Sequence, residues 1–529
     1  MLDVLMTTLL AGMMFLLVYW YYSNAFSYWS KRGVHTPKPL PFFGNLKDSM
    51  LWRKNFAHAM TDMYLQAEGL PFLGFYRSAT PFLMLRDLDL IKHVMVKDFQ
   101  FFGDRGITVD EKRNPIGAHL FSLGGSPWRK LRVKLTPTFT AGKMRMMSGL
   151  VRECCEEMVS WLQDSAAKEE DIEVKEVVAK FTTDVIGSCA FGLQMNSMRD
   201  PDSQFRKMGK KMFTPTLRNT LVRAAGSLAP ILLKIFPFRL ADREVSDFFM
   251  KLVGEIVSYR EENGITRNDF MQLMIDLKKN NSAAGEDNAS NHESSNHVTE
   301  NNHKLDDSYE ITNSRIAAQC LVFFVAGFET SSTALSCCLY ELASNPDVQE
   351  RLAREVASVL GRHGGSITYD ALQEMKYMDQ VVDETLRRYP PGGTLLRRCT
   401  RPYTLPGTSL HLDKGSLVII PVHGLHHDPE YFPDPLRFDP ERFSEENAKR
   451  VPQFAYLPFG EGPRICIGLR FGRMQVKACL AALLSRYQFF TCAKTSTPLK
   501  FDPRVPLVTT PTEVWLTIKK RPAVKVAGL

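Results

Sequence analysis

Residues 459–468 read Phe-Gly-Glu-Gly-Pro-Arg-Ile-Cys-Ile-Gly. A lone cysteine is ordinarily a small buried apolar residue, and that reading suits most of the ten cysteines in the chain. Cys466 differs in its surroundings. Glycines on either side let the backbone come close to a flat ligand and aim N–H groups at the sulfur, while the Phe459 ring can keep water away from it. Arg464, two residues earlier, brings a cation that favours the thiolate or meets a ligand carboxylate. A shielded thiolate with N–H donors suits an electron-rich iron ligand, because burial and hydrogen bonds tune such a metal.

Outward from this loop, composition removes rival classes. The chain of 529 residues is long enough for about three average domains or one large one. Its net charge of +8 arises from 66 basic and 58 acidic residues scattered without a long basic run, so no nucleic-acid partner is expected. No Cys-x-x-Cys, His-Glu-x-x-His, Gly-x-x-x-x-Gly-Lys or Gly-x-Ser-x-Gly pattern occurs. Zinc-framework, metalloprotease, nucleotidase and esterase readings therefore lose their usual support.

Residues 4–22 carry no charge and end in Trp20, Tyr21 and Tyr22. At 1.5 Å per helical residue such a segment matches a hydrocarbon core of about 30 Å, and its aromatic end suits the interface. No other window reads as long and apolar enough to cross. Lys31, Arg32, Lys38 and Lys47 follow the segment, so the positive-inside rule predicts a single-pass protein with its body in the cytosol. The expected organisation is a signal anchor over 1–23, a basic, proline-rich connector over 24–50, and one globular domain over 51–529. Within that domain, 280–308 is too polar to order and reads as a mobile loop. The apolar patch 228–238 fits a dip into the bilayer surface and core packing equally well. Apolar spacing predicts helices over 144–162, 245–259 and 311–343, the last apolar on nearly every side and hence central. Strands are predicted at 72–76, 82–85, 417–421 and 514–518.

The loop at Cys466 resembles the haem-binding signature of the haem-thiolate monooxygenases, the cytochromes P450, Phe-x-x-Gly-x-Arg-x-Cys-x-Gly. Phe459, Gly462, Arg464, Cys466 and Gly468 fill its fixed places. Five such residues meet by chance in about one chain of this length in 10⁴. The resemblance extends over nearly the whole chain and implies a mainly α fold with small β-sheets. Ala326-Gly327-Phe328-Glu329-Thr330 is similar to the family's oxygen-activating segment. Its spacing also stands by itself, because Phe323, Ala326, Gly327, Thr330 and Ala334 share one helical face. Small residues there leave room for a diatomic molecule, and Thr330 with Glu329 or an ordered water would supply a proton route.

Glu384-Thr385-Leu386-Arg387 fits the family's Glu-x-x-Arg motif, with Arg442 of Pro440-Glu441-Arg442-Phe443 as third member of a structural network. Trp128 and Arg132 match the Trp-x-x-x-Arg helix whose side chains reach a haem propionate, and Arg397 and Arg464 stand where further propionate ligands are placed. Arg398 competes with Arg397 for that role. His426 and His427 are expected to be structural, since a second axial ligand would block oxygen.

The resemblance implies haem b (iron protoporphyrin IX) on Cys466 and insertion of one oxygen atom from O2 into a lipophilic small molecule. Electrons would come from NADPH through NADPH-cytochrome P450 reductase, with cytochrome b5 as a second donor, because the chain has no dinucleotide fingerprint of its own. Lys130, Lys134, Arg470, Arg473 and Lys477 are expected to form a cationic docking face. The nearest likeness is to microsomal insect xenobiotic-metabolising members, which implies detoxification at the endoplasmic reticulum membrane. A haem-thiolate isomerase and a non-catalytic binder are the rivals, and the intact Gly327, Thr330 and Cys466 speak against both.

Overall fold

Among the described residues two helices are long and apolar enough to cross a membrane, and they lie in different surroundings. The computed structural model describes residues 1–200, 203–213, 243–267, 269–289, 310–505 and 508–522, the side chains of Leu2, Phe213 and 280–289 excepted. Helix α1 (Leu2–Ser30) leaves its apolar window wholly unburied, whereas the helix Asn313–Ser344 buries 67% of its window inside the protein. The expectation of a single such window is therefore corrected. The second helix passes on length and hydropathy, and its burial identifies it as the core helix of the globular body.

α1 also runs beyond the expected anchor, taking in 24–30 of the supposed connector. Its last turns are pinned to the first sheet. The Trp29 backbone N–H donates to the Tyr76 hydroxyl at 3.1 Å and its indole Nε1 to the Phe75 carbonyl at 3.3 Å. Trp29 itself is 1% exposed. The proline segment that follows is tied down as well. Asn45 N–H donates to Tyr76 O at 2.8 Å, and Tyr76 N–H to Asn45 Oδ1 at 2.8 Å. The long apolar helix and the globular body are thus joined by hydrogen bonds to the first sheet.

Helix α2 (Phe56–Gln66) precedes the hairpin of β1 (Phe72–Arg77) and β2 (Thr80–Leu85), which pair antiparallel across a turn at Ser78 and Ala79. Helices α3 (Gly125–Leu135) and α4 (Ala141–Ala167), strand β3 (Asp171–Glu173) and helix α5 (Val174–Ile186) come next. They are followed by α6 (Gln204–Phe213), α7 (Arg243–Glu262), α8 (Phe270–Ala289) and α9 (Asn313–Ser344). The carboxyl-terminal part supplies α10 (Lys376–Arg388), β4 (Leu395–Arg398), β5 (Leu417–Ile420), α11 (Leu469–Leu484), β6 (Tyr487–Thr491) and β7 (Trp515–Lys520).

The larger sheet has the order β1-β2-β5-β4, with β2 and β5 parallel, and the smaller one β3-β7-β6. The fold is mainly α with small β-sheets, as the resemblance implies. α9 is its axis. Residues 331–343 are buried without exception, and α5 packs most extensively against this helix. Thr312 caps its start, Oγ1 accepting from Arg315 N–H at 3.3 Å.

The polar stretch at 280–308 departs from expectation over its first part. α8 continues through 280–289, a segment without proline and so without a backbone obstacle to helix. The remainder, and the patch at 228–238, lie outside the described residues.

Candidate functional site

The cysteine loop is built by backbone geometry. Leu457 N–H donates to His426 Nε2 at 2.8 Å just before it, and Cys466 N–H donates to the Phe459 carbonyl at 3.0 Å to close it. Gly462 has φ +73°, and a Cβ there would overlap the Met95 carbonyl, so only glycine fits. Helix α11 starts directly after Gly468, and the positive end of its dipole lies beside the thiol. Cys466 keeps exposed surface, so its sulfur stays open to a ligand. Burial pushes this thiol above its ordinary range, and the Gly468 N–H, then the guanidinium groups of Arg105 and Arg132, pull the other way.

Four arginines gather near that cysteine. Burial holds Arg397 down to about 10. Burial and then the neighbouring guanidinium groups hold Arg105 and Arg464 each down to about 9, with Asp104 opposing part of this at Arg464. Arg132 is lowered too, by burial, with Cys466 acting against it. A guanidinium does not give up its proton in a protein. The depression therefore registers cations gathered with too little anionic company. Arg397 makes this plain, since it is 1% exposed, donates one bond to the Leu396 carbonyl at 2.9 Å, and has a buried Nε with no partner among the described residues. A flat cofactor with a thiolate-binding metal and two carboxylates fits this donor set, and haem is such a group. The register of β4 against β5, Arg397 opposite Val418, turns Arg397 inward and leaves Arg398 part-exposed.

The other expected propionate ligands behave differently from one another. The Arg464 guanidinium donates to the carbonyls of Gly103, Leu120 and Leu123 at 2.8, 3.4 and 2.7 Å and lies 3.9 Å over the Trp128 ring. It thus braces the 103–123 segment against the cysteine loop. Trp128 is buried and Arg132 part-buried on α3. Arg105 was not anticipated. It donates to the carbonyls of Phe121 and Arg464, both at 3.3 Å, from an irregular segment without motif or periodicity that could mark it. Replacing Arg397 with leucine is expected to lower haem retention about tenfold by removing a buried charge-assisted donor. Arg398→Leu should leave retention unchanged, and haem-to-protein ratios of the purified variants check both.

On α9, Thr330 Oγ1 donates to the Ala326 carbonyl at 2.6 Å, which leaves the hydroxyl lone pairs available as acceptors. Ala326 is exposed and Gly327 part-exposed on the same face, while Glu329 is buried. Phe323 turns to Phe139 and Phe270, with ring centroids 5.6 and 4.5 Å apart, and Ala334 is buried.

Glu384 and Arg387 on α10 are both completely buried and joined by two bonds, Nε–Oε2 at 2.7 Å and Nη2–Oε1 at 2.8 Å. Arg387 also donates to the carbonyls of His426 at 2.8 Å and Pro435 at 2.9 Å. Arg442 approaches Glu384 at 3.5 Å and so serves the carboxylate. His426 accepts from Leu457 N–H at Nε2 and faces the Arg387 carbonyl with Nδ1 at 3.1 Å, so both ring nitrogens are occupied. Burial holds its pKa far below the usual imidazole range.

The cationic docking face loses two of its expected members. Lys477 is 3% exposed and pairs with Asp379 at 2.8 Å, and Arg473 pairs with Asp379 at 3.7 Å and with Asp383. These acids on α10 neutralise them, a pairing between segments about 95 residues apart that no local reading of charge could supply.

The sequence profile of the family described as Cytochrome P450 matches residues 34–517. Cytochrome P450 6k1 of Blattella germanica is 42% identical over 508 residues, covering 96% of this chain and 95% of its own length. Probable cytochrome P450 6a14 of Drosophila melanogaster is 41% identical over 522 residues, covering 98% of this chain and all of its own length. Probable cytochrome P450 6a13 of the same organism is 44% identical over 502 residues, covering 94% of this chain and 95% of its own length. The chain belongs to the cytochrome P450 family and is a monooxygenase that uses haem b and electrons from NADPH delivered through a reductase.

Proposed function

We propose that this monooxygenase is a single-pass protein of the endoplasmic reticulum membrane with its catalytic body in the cytosol, and that it oxidises lipophilic xenobiotics or endogenous lipids entering from the bilayer. The observation that carries the site assignment is the Cys466 thiol in its glycine loop with Arg105, Arg132, Arg397 and Arg464 gathered near it, the buried Arg397 Nε lacking a partner among the described residues. Cys466 is the iron ligand. Arg397, Arg132 and Arg105 hold the haem carboxylates, and Arg464 braces the loop against Trp128. Bound haem supplies the dioxygen activation. The protein's own part is to donate N–H groups to the sulfur, exclude water and deliver protons.

Thr330 is the group that holds the proton at the reacting end, through Oγ1, and Glu329 is its source. Loss of that hydroxyl is expected to leave haem content and the carbon monoxide spectrum intact, while the share of NADPH electrons recovered in product falls about tenfold or more. Hydrogen peroxide or water takes the difference. Measuring product, peroxide and NADPH together in Thr330→Ala decides the point, and unchanged coupling removes Thr330 from the proton route.

Lys130, Lys134 and Arg470 form the docking edge for the reductase, with cytochrome b5 as a second donor using the same edge. The test of the whole reading is a carbon monoxide difference spectrum of reduced membranes, followed by NADPH-dependent oxidation of a lipophilic panel with reductase present. Turnover of hydroperoxides without electron uptake would place the chain with the isomerases instead.

A further inference from the structure

Three consecutive carbonyls of α9 accept side-chain hydrogen bonds from three different elements. Ala326 O accepts from Thr330 Oγ1 at 2.6 Å, Gly327 O from Gln475 Nε2 at 3.1 Å, and Phe328 O from Thr182 Oγ1 at 3.1 Å. The donors belong to α9 itself, to α11 behind the cysteine, and to α5. A helical carbonyl already serves the N–H four residues on, so an added donor draws it off the axis or makes it share. A side chain working into that ladder bends or loosens the turn. Here the effect is concentrated on 326–330.

Gln475 is 0% exposed, and a buried amide must be hydrogen-bonded to be tolerated there. Its orientation is set by its neighbours. Nε2 faces the Gly327 carbonyl and the Ser331 hydroxyl, whereas the flipped amide would press Oε1 against a carbonyl oxygen. Oε1 is buried and has no donor among the described residues. Thr182 is 0% exposed as well and shares its hydroxyl with the Ala179 carbonyl at 3.2 Å. α5 also bears on the same turn through Ile186, whose side chain a Cβ at Gly327 would overlap. Gln475 stands nine residues after Cys466, so one helix links the thiol to the turn that carries Thr330.

We propose that Gln475 and Thr182 are positioning residues of the oxygenase reaction, which hold the Gly327 and Phe328 carbonyls off the α9 axis so that the groove beside Thr330 stays open. The inference rests on the proposed role of Thr330 in proton delivery, and its test separates the two.

Gln475→Leu, Thr182→Val and Thr182→Ser are made in the full chain, loaded with haem and supplied with reductase. Haem content and the carbon monoxide band are expected to match wild type in all three. Amide hydrogen exchange over 328–334 in the resting protein should be about tenfold slower in Gln475→Leu and Thr182→Val and unchanged in Thr182→Ser, since losing the side-chain donor returns the carbonyl to the N–H four residues on and closes that turn. The share of NADPH electrons recovered in product should fall about threefold in the first two and be retained in the serine variant. Wild-type exchange and coupling in both Gln475→Leu and Thr182→Val overturn the proposal, and so do faster exchange, which marks donors that brace the turn and do not open it, and slower exchange with unchanged coupling, which marks a packing role only. If Gln475→Leu fails to load haem, the Thr182 valine and serine pair decides. If Thr330→Ala itself couples normally, the Thr330 reading falls, while the exchange data still judge the clamp.

Discussion

Replacing Cys466 with alanine abolishes the thiolate-type carbon monoxide spectrum and brings monooxygenase turnover to background. The sulfur is singular in its setting. It sits at the start of α11, receives the Gly468 N–H, and feels the guanidinium groups of Arg105 and Arg132. His426, the histidine hydrogen-bonded to the foot of the loop, has both ring nitrogens engaged and so has none free to replace it. Cysteines buried elsewhere in the fold serve a different end. Burial holds Cys154 and Cys338 each up to about 12, so they are inert packing residues. Cys492→Ala, at a part-exposed cysteine, is the control and should keep the full spectrum. A normal thiolate band in membranes carrying Cys466→Ala would falsify the ligand assignment, and a band ascribable to imidazole ligation would redirect it to a histidine.

The cysteine loop was legible because its requirements are local. Glycine at 462, an aromatic at 459 and an N–H donor at 468 all lie within ten residues, and each answers to backbone sterics or to the sulfur itself. The face of α9 carrying Ala326, Gly327 and Thr330 was legible for the same reason, since helical period alone brings those residues together. The choice between Arg397 and Arg398 was not. In a strand of four residues it is the pairing with β5, about twenty residues on, that decides which guanidinium turns inward. Arg105 carried no local signal, since its place follows from the carbonyls of Phe121 and Arg464. The charge of Lys477 was visible but not its burial, which depends on Asp379 of another helix. The end of α1 was misjudged because a polar, aromatic run such as Asn-Ala-Phe-Ser-Tyr-Trp-Ser reads as a linker until a sheet is present to receive Trp29. Period and turn chemistry are written in neighbouring residues, while pairing partners across the fold are not.

The Glu384–Arg387 pair gives the second large effect. Glu384→Gln keeps the shape and removes the charge, so the Arg387 guanidinium becomes a fully buried cation with carbonyl partners only. Breaking a buried pair from one side costs about 3–5 kcal/mol, a large share of the roughly 5–15 kcal/mol by which domains are stable. The damage is also directed. Arg387 holds the His426 carbonyl, His426 holds the Leu457 N–H, and Phe459 of the cysteine loop follows two residues later. Glu384→Gln and Arg387→Met should therefore each yield little haem-loaded protein, with faster proteolysis of what is made. Removing both partners together withdraws the stranded charge, so the double variant should recover part of the loss, with a coupling energy of about 2 kcal/mol in a cycle of protease-resistance measurements. Thr330→Ala, by contrast, should resist protease like wild type, because its change lies in chemistry and not in folding. Wild-type haem content and protease resistance in Glu384→Gln would show that the pair is not what holds the cysteine loop in place.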